Sequence, residues 1–324
     1  NMIYQILKEA GKKVSMVSTI NSLGLHVTSP DPFTVQKLAQ KAAVNGDEYL
    51  VLEVTSHGLD QFRFWGINFE VGVITNITHE HLDYHKTFEN YFKTKLKLIR
   101  EAKYAILNQG IKGIWGIKGK VISFGLHRGD LNQKEAKLEL KIPGEYNVEN
   151  ALAAMAVAFV LGIDKVVARK AVEDFEGIQG RMQEIKNSRG IKIIIDFAHT
   201  PNGLEKALKA LRSKGKLIAL IGCEGFRDIG KREMMGKIAG KLADYVIVTA
   251  VDPRGQLEVI NKQIIKDLKK NYFVIDDRQE AINFAINQLA KKGDIVGIFG
   301  KGHERSMNLD GEHEIPWSDR KAIE

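Results

Sequence analysis

From Val73 to Ile99 the chain reads VITNITHEHLDYHKTFENYFKTKLKLI, and the fold turns on how this stretch is read. The apolar run from Val71 to Thr75 predicts a buried strand that delivers Asn76, Thr78, His79, His81, Asp83 and His85 onto a loop. Those polar groups exceed what a turn alone requires. A helix is expected from about Thr87 to Glu101, with Phe88, Tyr91, Phe92, Leu96 and Ile99 at helical spacing and Lys95 projecting among them. Upstream, Tyr49 to Val54 predicts a second strand, which carries Glu53 near its end and runs into Thr55-Ser56-His57-Gly58. A carboxylate, an imidazole and an amine can therefore meet at the ends of neighbouring strands.

Such a donor set suits a hard cation like Mg²⁺, which takes few protein ligands and completes its shell with water and substrate phosphates. On residue types alone, a surface pair or a helix cap accounts for the same Glu and His. Composition narrows the field. The 324 residues allow two domains, and 44% hydrophobic with 27% charged residues is ordinary for a globular protein. No apolar run approaches the ~18 residues that a membrane span needs, so no membrane insertion is expected. The single cysteine, Cys223, excludes an intrachain disulfide framework and fits a reducing cytosol. The net charge of +8 is spread without a run of five or more basic residues, which favours an anionic small substrate over nucleic acid.

The rest of the chain supplies the organisation. Ile3, Ile6, Leu7 and Ala10 mark a first helix that Gly11 ends, and a short strand starts at Val14. Asp31-Pro32 opens another helix, since Asp caps free amides and Pro tolerates the first helical position. Short strands are expected at Tyr104–Leu107, Val121–Phe124 and Leu138–Ile142, and Pro143-Gly144 opens an Ala-rich helix closed by Gly162. A domain boundary is expected near Gly177 to Met182. Beyond it, strands at Lys192–Asp196, Leu217–Gly222, Tyr245–Thr249, Phe273–Ile275 and Ile295–Phe299 alternate with helices, which predicts a parallel sheet covered on both faces. Ligands of such sheets bind at the carboxyl ends of the strands. Polar residues collect there, at Asp196–Pro201, Gly222–Lys231, Asp252–Arg254 and Gly300–Glu304.

The segments EVTSHGLDQFR (from Glu53), TNITHEHLDYH (from Thr75) and YFKTKLKLI (from Tyr91) resemble the central domain of the Mur ligase family. DFAHTPNGLEKAL (from Asp196), GCEGFRDIGKREMMG (from Gly222), VDPR (from Val251) and GKGHE (from Gly300) resemble its C-terminal domain, of the MurE type. The resemblance implies an α/β chain: a central P-loop-type nucleotide-binding domain over residues 1–177, truncated at its start, and a Rossmann-like C-terminal domain with a mostly parallel sheet over 178–324, clipped at its end. It implies Mg²⁺ on Glu53, His81 and a carbamylated Lys95, all three with catalytic roles. Thr28 and Ser29, in a TSPDP segment, together with Thr55, Gln61 and Arg63, would hold the UDP-N-acetylmuramoyl dipeptide. Asn147, Asn150, Asp196 and His199 would face ATP. Arg227, Asp252, Pro253, Arg254, Gly300 and Glu304 would hold a diamino acid, two guanidiniums serving its carboxylates and Glu304 its distal ammonium. Arg254 favours meso-diaminopimelate, because lysine-adding members lack that Arg. Several positions depart from the pattern: Glu80 for Asp, Glu224 for Gly, Phe226 for Asp, Val251 for Asp and Asn202 for Asp.

The implied activity is ATP-dependent amide bond formation through an acyl phosphate, in peptidoglycan precursor synthesis, by a cytoplasmic monomer. No G-x-x-G-K-[ST] segment, whose amides cradle ATP phosphates, occurs in this sequence. The expectation is therefore either a fragment, inactive alone, or a protein that cannot use ATP in the family's way. Other readings are a non-catalytic precursor-binding protein, an L-lysine-adding ligase, and an amide ligase of the folylpolyglutamate or cyanophycin type.

Overall fold

A computed structural model describes residues 1–19, 28–78, 80–269 and 271–324. The chain divides into two compact units, Asn1–Thr78 with Tyr84–Glu176, and His79–Asp83 with Gly177–Glu324. Both are α/β, and their sheets are mostly parallel.

In the first unit, α1 (Met2–Glu9) leads to β1 (Val14–Val17), which pairs in parallel with β2 (Tyr49–Leu52) across α2 (Pro32–Val44). Asp31 caps α2 by accepting from the amides of Phe33 and Thr34. That satisfies donors the first turn leaves without partners. After α3 (Ser56–Asp60), the strands β3 (Val71–Ile74), β4 (Tyr104–Asn108), β5 (Lys120–Gly125) and β6 (Leu131–Asn132) form a four-stranded parallel sheet in sequence order. The chain passes from β3 through the short α4 (Leu82–His85) to α5 (Phe88–Arg100). Helix α5 lays Leu96 and Ile99, both fully buried, on Ile74, Ala105 and Leu107 of the sheet. Burying each such side chain contributes about 1.5–3 kcal/mol. The helices α6 (Gln133–Ala136), α7 (Glu145–Val160) and α8 (Lys165–Glu173) complete the unit.

The organising stretch departs from expectation in several places. Phe88 is exposed at the start of α5, where no sheet lies beneath the first turn, whereas Thr94 is buried in its middle. His85 is not presented on a loop: it is 6% exposed, and its Nε2 lies 3.0 Å from Ser56 Oγ. His79 falls outside the described residues. Leu138–Ile142 forms no strand. The Gln133 side chain donates to Leu138 O at 2.9 Å and accepts from Leu138 N at 3.1 Å, so one amide takes the place of a ladder partner.

In the second unit the six-stranded sheet has the order β11-β10-β9-β12-β8-β7. Its strands are β7 (Gln183–Ile185), β8 (Lys192–Asp196), β9 (Leu217–Ile221), β10 (Tyr245–Val248), β11 (Tyr272–Val274) and β12 (Ile295–Phe299). All pair in parallel except β7, an antiparallel edge strand too short to announce itself by alternation. The helices α9 (Pro201–Leu211), α10 (Gly230–Leu242), α11 (Leu257–Ile265) and α12 (Arg278–Asn283, continued as a π-helical turn Phe284–Leu289) connect the strands. Ile193, Ile218, Leu220, Ile247, Val296 and Ile298 form the core together with Ala281, Ile282 and Ala285. A hairpin of β13 (Ser306–Asn308) and β14 (Glu314–Pro316), unforeseen in the sequence, precedes α13 (Asp319–Ile323).

That last helix is clasped by a buried ion pair. Arg278 Nε donates to Asp319 Oδ1 at 2.7 Å and Nη2 to Oδ2 at 2.9 Å, with the pair 1% and 0% exposed. The same guanidinium donates to Ala250 O and Phe299 O, at the ends of β10 and β12. The strand ends that carry the polar loops are thus tied to α13. Replacing one partner of such a pair strands the other charge in the core, which costs about 3–5 kcal/mol. Arg278→Ala is expected to lower unfolding stability by that amount in urea titration; a loss under about 1 kcal/mol would remove the clasp from the account.

Candidate active site

In the first unit the residues expected to hold the precursor form one hydrogen-bonded patch around the end of β2. Ser29 is 2% exposed, and its hydroxyl accepts from Thr55 N at 3.2 Å and Thr55 Oγ1 at 2.9 Å. Thr55 in turn caps α3 by accepting from Gly58 N at 3.0 Å. Thr28 Oγ1 lies 2.9 Å from Thr19 Oγ1, and the Thr19 amide donates to Glu53 Oε2 at 2.8 Å. Arg63 is no solvated arginine: Nη1 donates to Ser29 O, while Nε and Nη2 donate to Gln61 Oε1 at 3.0 and 2.6 Å. Gln61 reaches Tyr84 Oη at 3.2 Å, and Tyr84 donates to Asp60 at 3.0 Å. The patch therefore joins Glu53, Thr28, Ser29, Thr55, Gln61 and Arg63, and Gln61 and Glu53 keep exposed surface for a ligand.

The implied metal can be tested against this chemistry. Among the described residues no group of three or more His, Cys, Asp or Glu side chains is disposed to hold a metal ion. A hard divalent cation that keeps water and takes substrate phosphates needs only one or two carboxylates. Exposed Glu53 offers one, so the donors fit Mg²⁺ and would not fit a caged transition metal. Lys95, in the same unit, is half-buried on α5 with its ammonium 5.4 Å from the Tyr91 ring centroid. His81 belongs to the second unit's segment His79–Asp83, with a positive φ of 56° and its Nε2 3.6 Å from Glu80 Oε1. Asn147 is 8% exposed and donates to Pro143 O at 2.6 Å, which closes the turn into α7. Asn150, half-buried, lies on the same face of that helix.

In the second unit the candidate side chains sit beyond the carboxyl ends of β8, β9, β10 and β12. Asp196 ends β8 and accepts from the amides of Met182 at 2.7 Å and Ala198 at 2.8 Å. Burial nevertheless raises its carboxyl above the usual range. His199 Nδ1 is 2.9 Å from Phe197 O. Beyond β12, Lys301 is 1% exposed and its ammonium meets Asp252 Oδ1 and Oδ2 at 2.9 and 2.8 Å and Glu304 Oε2 at 2.7 Å. Asp252 Oδ1 also accepts from Asn308 N at 2.8 Å. Asp252 and Pro253, expected to contact the amino acid, are thus buried parts of the loop that presents Arg254. Glu304 is raised by burial, with Lys301 opposing.

Arg254 adopts a φ of 49° and donates to Gly225 O at 3.2 Å. Gly225 must be glycine here, because a Cβ would lie 2.2 Å from Pro253 O. Arg227 Nε and Lys231 Nζ each lie 3.8 Å from Glu224 Oε2. Sequence reasoning assigned no role to Lys301, Glu224, Lys231 or Asn308. The one available signal was Lys301 between Gly300 and Gly302 directly after a buried strand, where small neighbours leave the lysine stem to fill the space. Cys223 is inert, its thiol pushed up to about 11 by burial.

The geometry can hold an anionic precursor and a hydrated cation in the first unit, and a zwitterion in the second. Comparison with known proteins finds a family match in each unit. The Mur ligase middle domain matches residues 1–158, and the domain described as Mur ligase, glutamate ligase domain, matches residues 180–302. The UDP-N-acetylmuramoyl-L-alanyl-D-glutamate–2,6-diaminopimelate ligase of Clostridium botulinum is 36% identical, over 100% of this chain and 74% of its own length. The protein of that name from Bacteroides thetaiotaomicron is 33% identical, over 96% and 72%. A solved structure with the same printed name superposes with a TM-score of 0.63 at 29% identity, over 99% of this chain and 74% of that one. A pseudomurein peptide ligase type C from Methanothermus fervidus shares the fold, with a TM-score of 0.72 at 21% identity over 93% and 73%. Matched in both domains, and a third identical to those ligases along nearly its whole length, this chain belongs to the Mur ligase family.

Proposed function

We propose that the protein adds meso-diaminopimelate as the third residue to UDP-N-acetylmuramoyl-L-alanyl-D-glutamate in an ATP-dependent ligation of peptidoglycan precursor synthesis. The observation that carries this reading is Arg254, held against Gly225 O next to the Glu224 carboxylate that Arg227 approaches, in a chain 36% identical over its own length to a 2,6-diaminopimelate ligase. A diamino dicarboxylate requires cations for its carboxylates and an anion for its distal ammonium.

On this reading the precursor's terminal carboxylate attacks the γ-phosphate of ATP, giving an acyl phosphate and ADP. The amine of the incoming amino acid then adds to the acyl carbon, and the tetrahedral adduct expels phosphate to leave the amide. Thr28, Ser29, Thr55, Gln61 and Arg63 orient the precursor. Asn147, Asn150, Asp196 and His199 face the nucleotide. Arg227, Arg254, Gly300 and Glu304 fix the amino acid so that its amine is the nucleophile. Glu53, His81 and carbamylated Lys95 would hold Mg²⁺, which when bound offsets the repulsion between the phosphates and the attacking carboxylate. Carbamylation converts the Lys95 ammonium, which would repel a cation, into an anion that attracts one.

The competing reading is precursor binding without ATP turnover. Calorimetric binding of UDP-N-acetylmuramoyl-L-alanyl-D-glutamate, run beside phosphate release with all three substrates, separates the two. Amide formation with stoichiometric phosphate supports ligation; tight precursor binding with no phosphate released supports the second reading.

Two expectations test the residue roles. Arg254→Ala is expected to weaken meso-diaminopimelate binding by about 10- to 100-fold while leaving L-lysine binding unchanged. An equal loss for both ligands would deny Arg254 its part in selectivity. With ¹³C-bicarbonate present, the wild-type chain is expected to show a carbamate carbon resonance that Lys95→Ala lacks; a spectrum unaltered by the substitution sinks the carbamate role.

A further inference from the structure

The loop after β9 places an acidic side chain inside the cluster of cations that would receive the amino acid's carboxylates. Glu224 Oε2 is 3.8 Å from Lys231 Nζ and 3.8 Å from Arg227 Nε, and the Glu224 side chain is only 18% exposed. Arg254 stands nearby, anchored to Gly225 O. Burial works against the charge of Glu224, but Lys231, His199, Arg227 and Arg254 together outweigh it and hold the carboxyl below its usual range. Glu224 is therefore ionised at neutral pH.

The contacts are near enough for Coulomb attraction and too long for hydrogen bonds. Its main chain is held independently. Arg232, 2% exposed, donates to Glu224 O at 3.0 Å, and the next residue packs against Pro253 O with no room for a Cβ. A ligand can therefore displace the Glu224 carboxylate by side-chain rotation, without moving the loop.

We propose that Glu224 is a specificity-determining residue, an internal carboxylate that occupies Arg227 and Lys231 until the distal carboxylate of a diamino dicarboxylic acid displaces it. Two anions cannot share those cations without repulsion, so Glu224 lowers affinity for a dicarboxylate and leaves a ligand lacking the distal carboxylate untouched. The selectivity between the two classes is narrowed from within. This inference rests on the amino-acid-binding reading of the second unit.

The test is isothermal titration of meso-diaminopimelate and of L-lysine into the wild-type chain, Glu224→Gln and Glu224→Gly, with thermal melts confirming that each variant is folded. Gln keeps the side-chain volume, and Gly removes it. Both variants are expected to bind meso-diaminopimelate about tenfold more tightly, with L-lysine affinity changed by less than about twofold. Unaltered diaminopimelate affinity in both folded variants overturns the proposal. So does an equal gain for the two ligands, since that describes a general field and not a competing carboxylate. No diaminopimelate binding to wild type or either variant removes the amino-acid reading and this inference with it, whereas wild-type binding with no gain in the variants removes the inference alone.

Discussion

The Lys301 ammonium is buried at the carboxyl end of β12, and the arrangement around it follows from the need to neutralise it. An uncompensated charge in that position carries a desolvation penalty of several kcal/mol. Asp252 and Glu304 both turn inward to meet it, and Asp252 also accepts from the Asn308 amide. One cation thus fixes three loops: the one after β10, the one after β12, and the hairpin that β13 begins. Arg254 inherits its position from this knot, two residues beyond Asp252. The selectivity role proposed for Arg254 depends on a lysine that touches no proposed ligand.

The first unit solves a similar problem with neutral groups. Ser29 and Thr55 share two hydrogen bonds and Arg63 closes onto the Ser29 carbonyl, so the TSPDP segment is pinned to the start of α3. Hydroxyls and amides suit a surface that is proposed to accept an anionic ligand. A buried carboxylate in the patch would repel it. Glu53 lies at the margin, exposed, where its charge is available to a hydrated cation.

Much of the architecture was legible because its causes are local. Asp31-Pro32 announces a helix start by capping chemistry, and Asp31 is found accepting the amides of Phe33 and Thr34. The apolar runs of β8, β9 and β12 read as parallel strands because strands covered on both faces need no alternation. What escaped depends on partners far away in sequence. Asp252, expected to contact the amino acid, is also paired with Lys301, 49 residues on. His85 looked exposed until Ser56, 29 residues earlier, accounted for its burial. Leu138 looked like a strand until the Gln133 amide took both of its backbone groups. None of these pairings leaves a periodic trace. The candidate site residues rest on motif resemblance, while the departures from the motif, Glu224 above all, gained meaning only once their neighbours were located.

The clasp on α13 has an optical consequence. Trp317 Nε1 donates to Asp319 Oδ1 at 2.9 Å, the same oxygen that receives Arg278 Nε. The chain has three tryptophans. Trp65 and Trp115, both in the first unit, are 76% and 56% exposed, and Trp115 lies under the Arg100 guanidinium at 4.2 Å. Trp317 is the single indole of the second unit, partly buried against the core and hydrogen-bonded to a buried carboxylate. Its emission therefore lies to the blue of the other two and moves when the Arg278–Asp319 pair opens. The protein carries its own fluorescent gauge of whether the strand ends beneath the amino-acid loops are still drawn together.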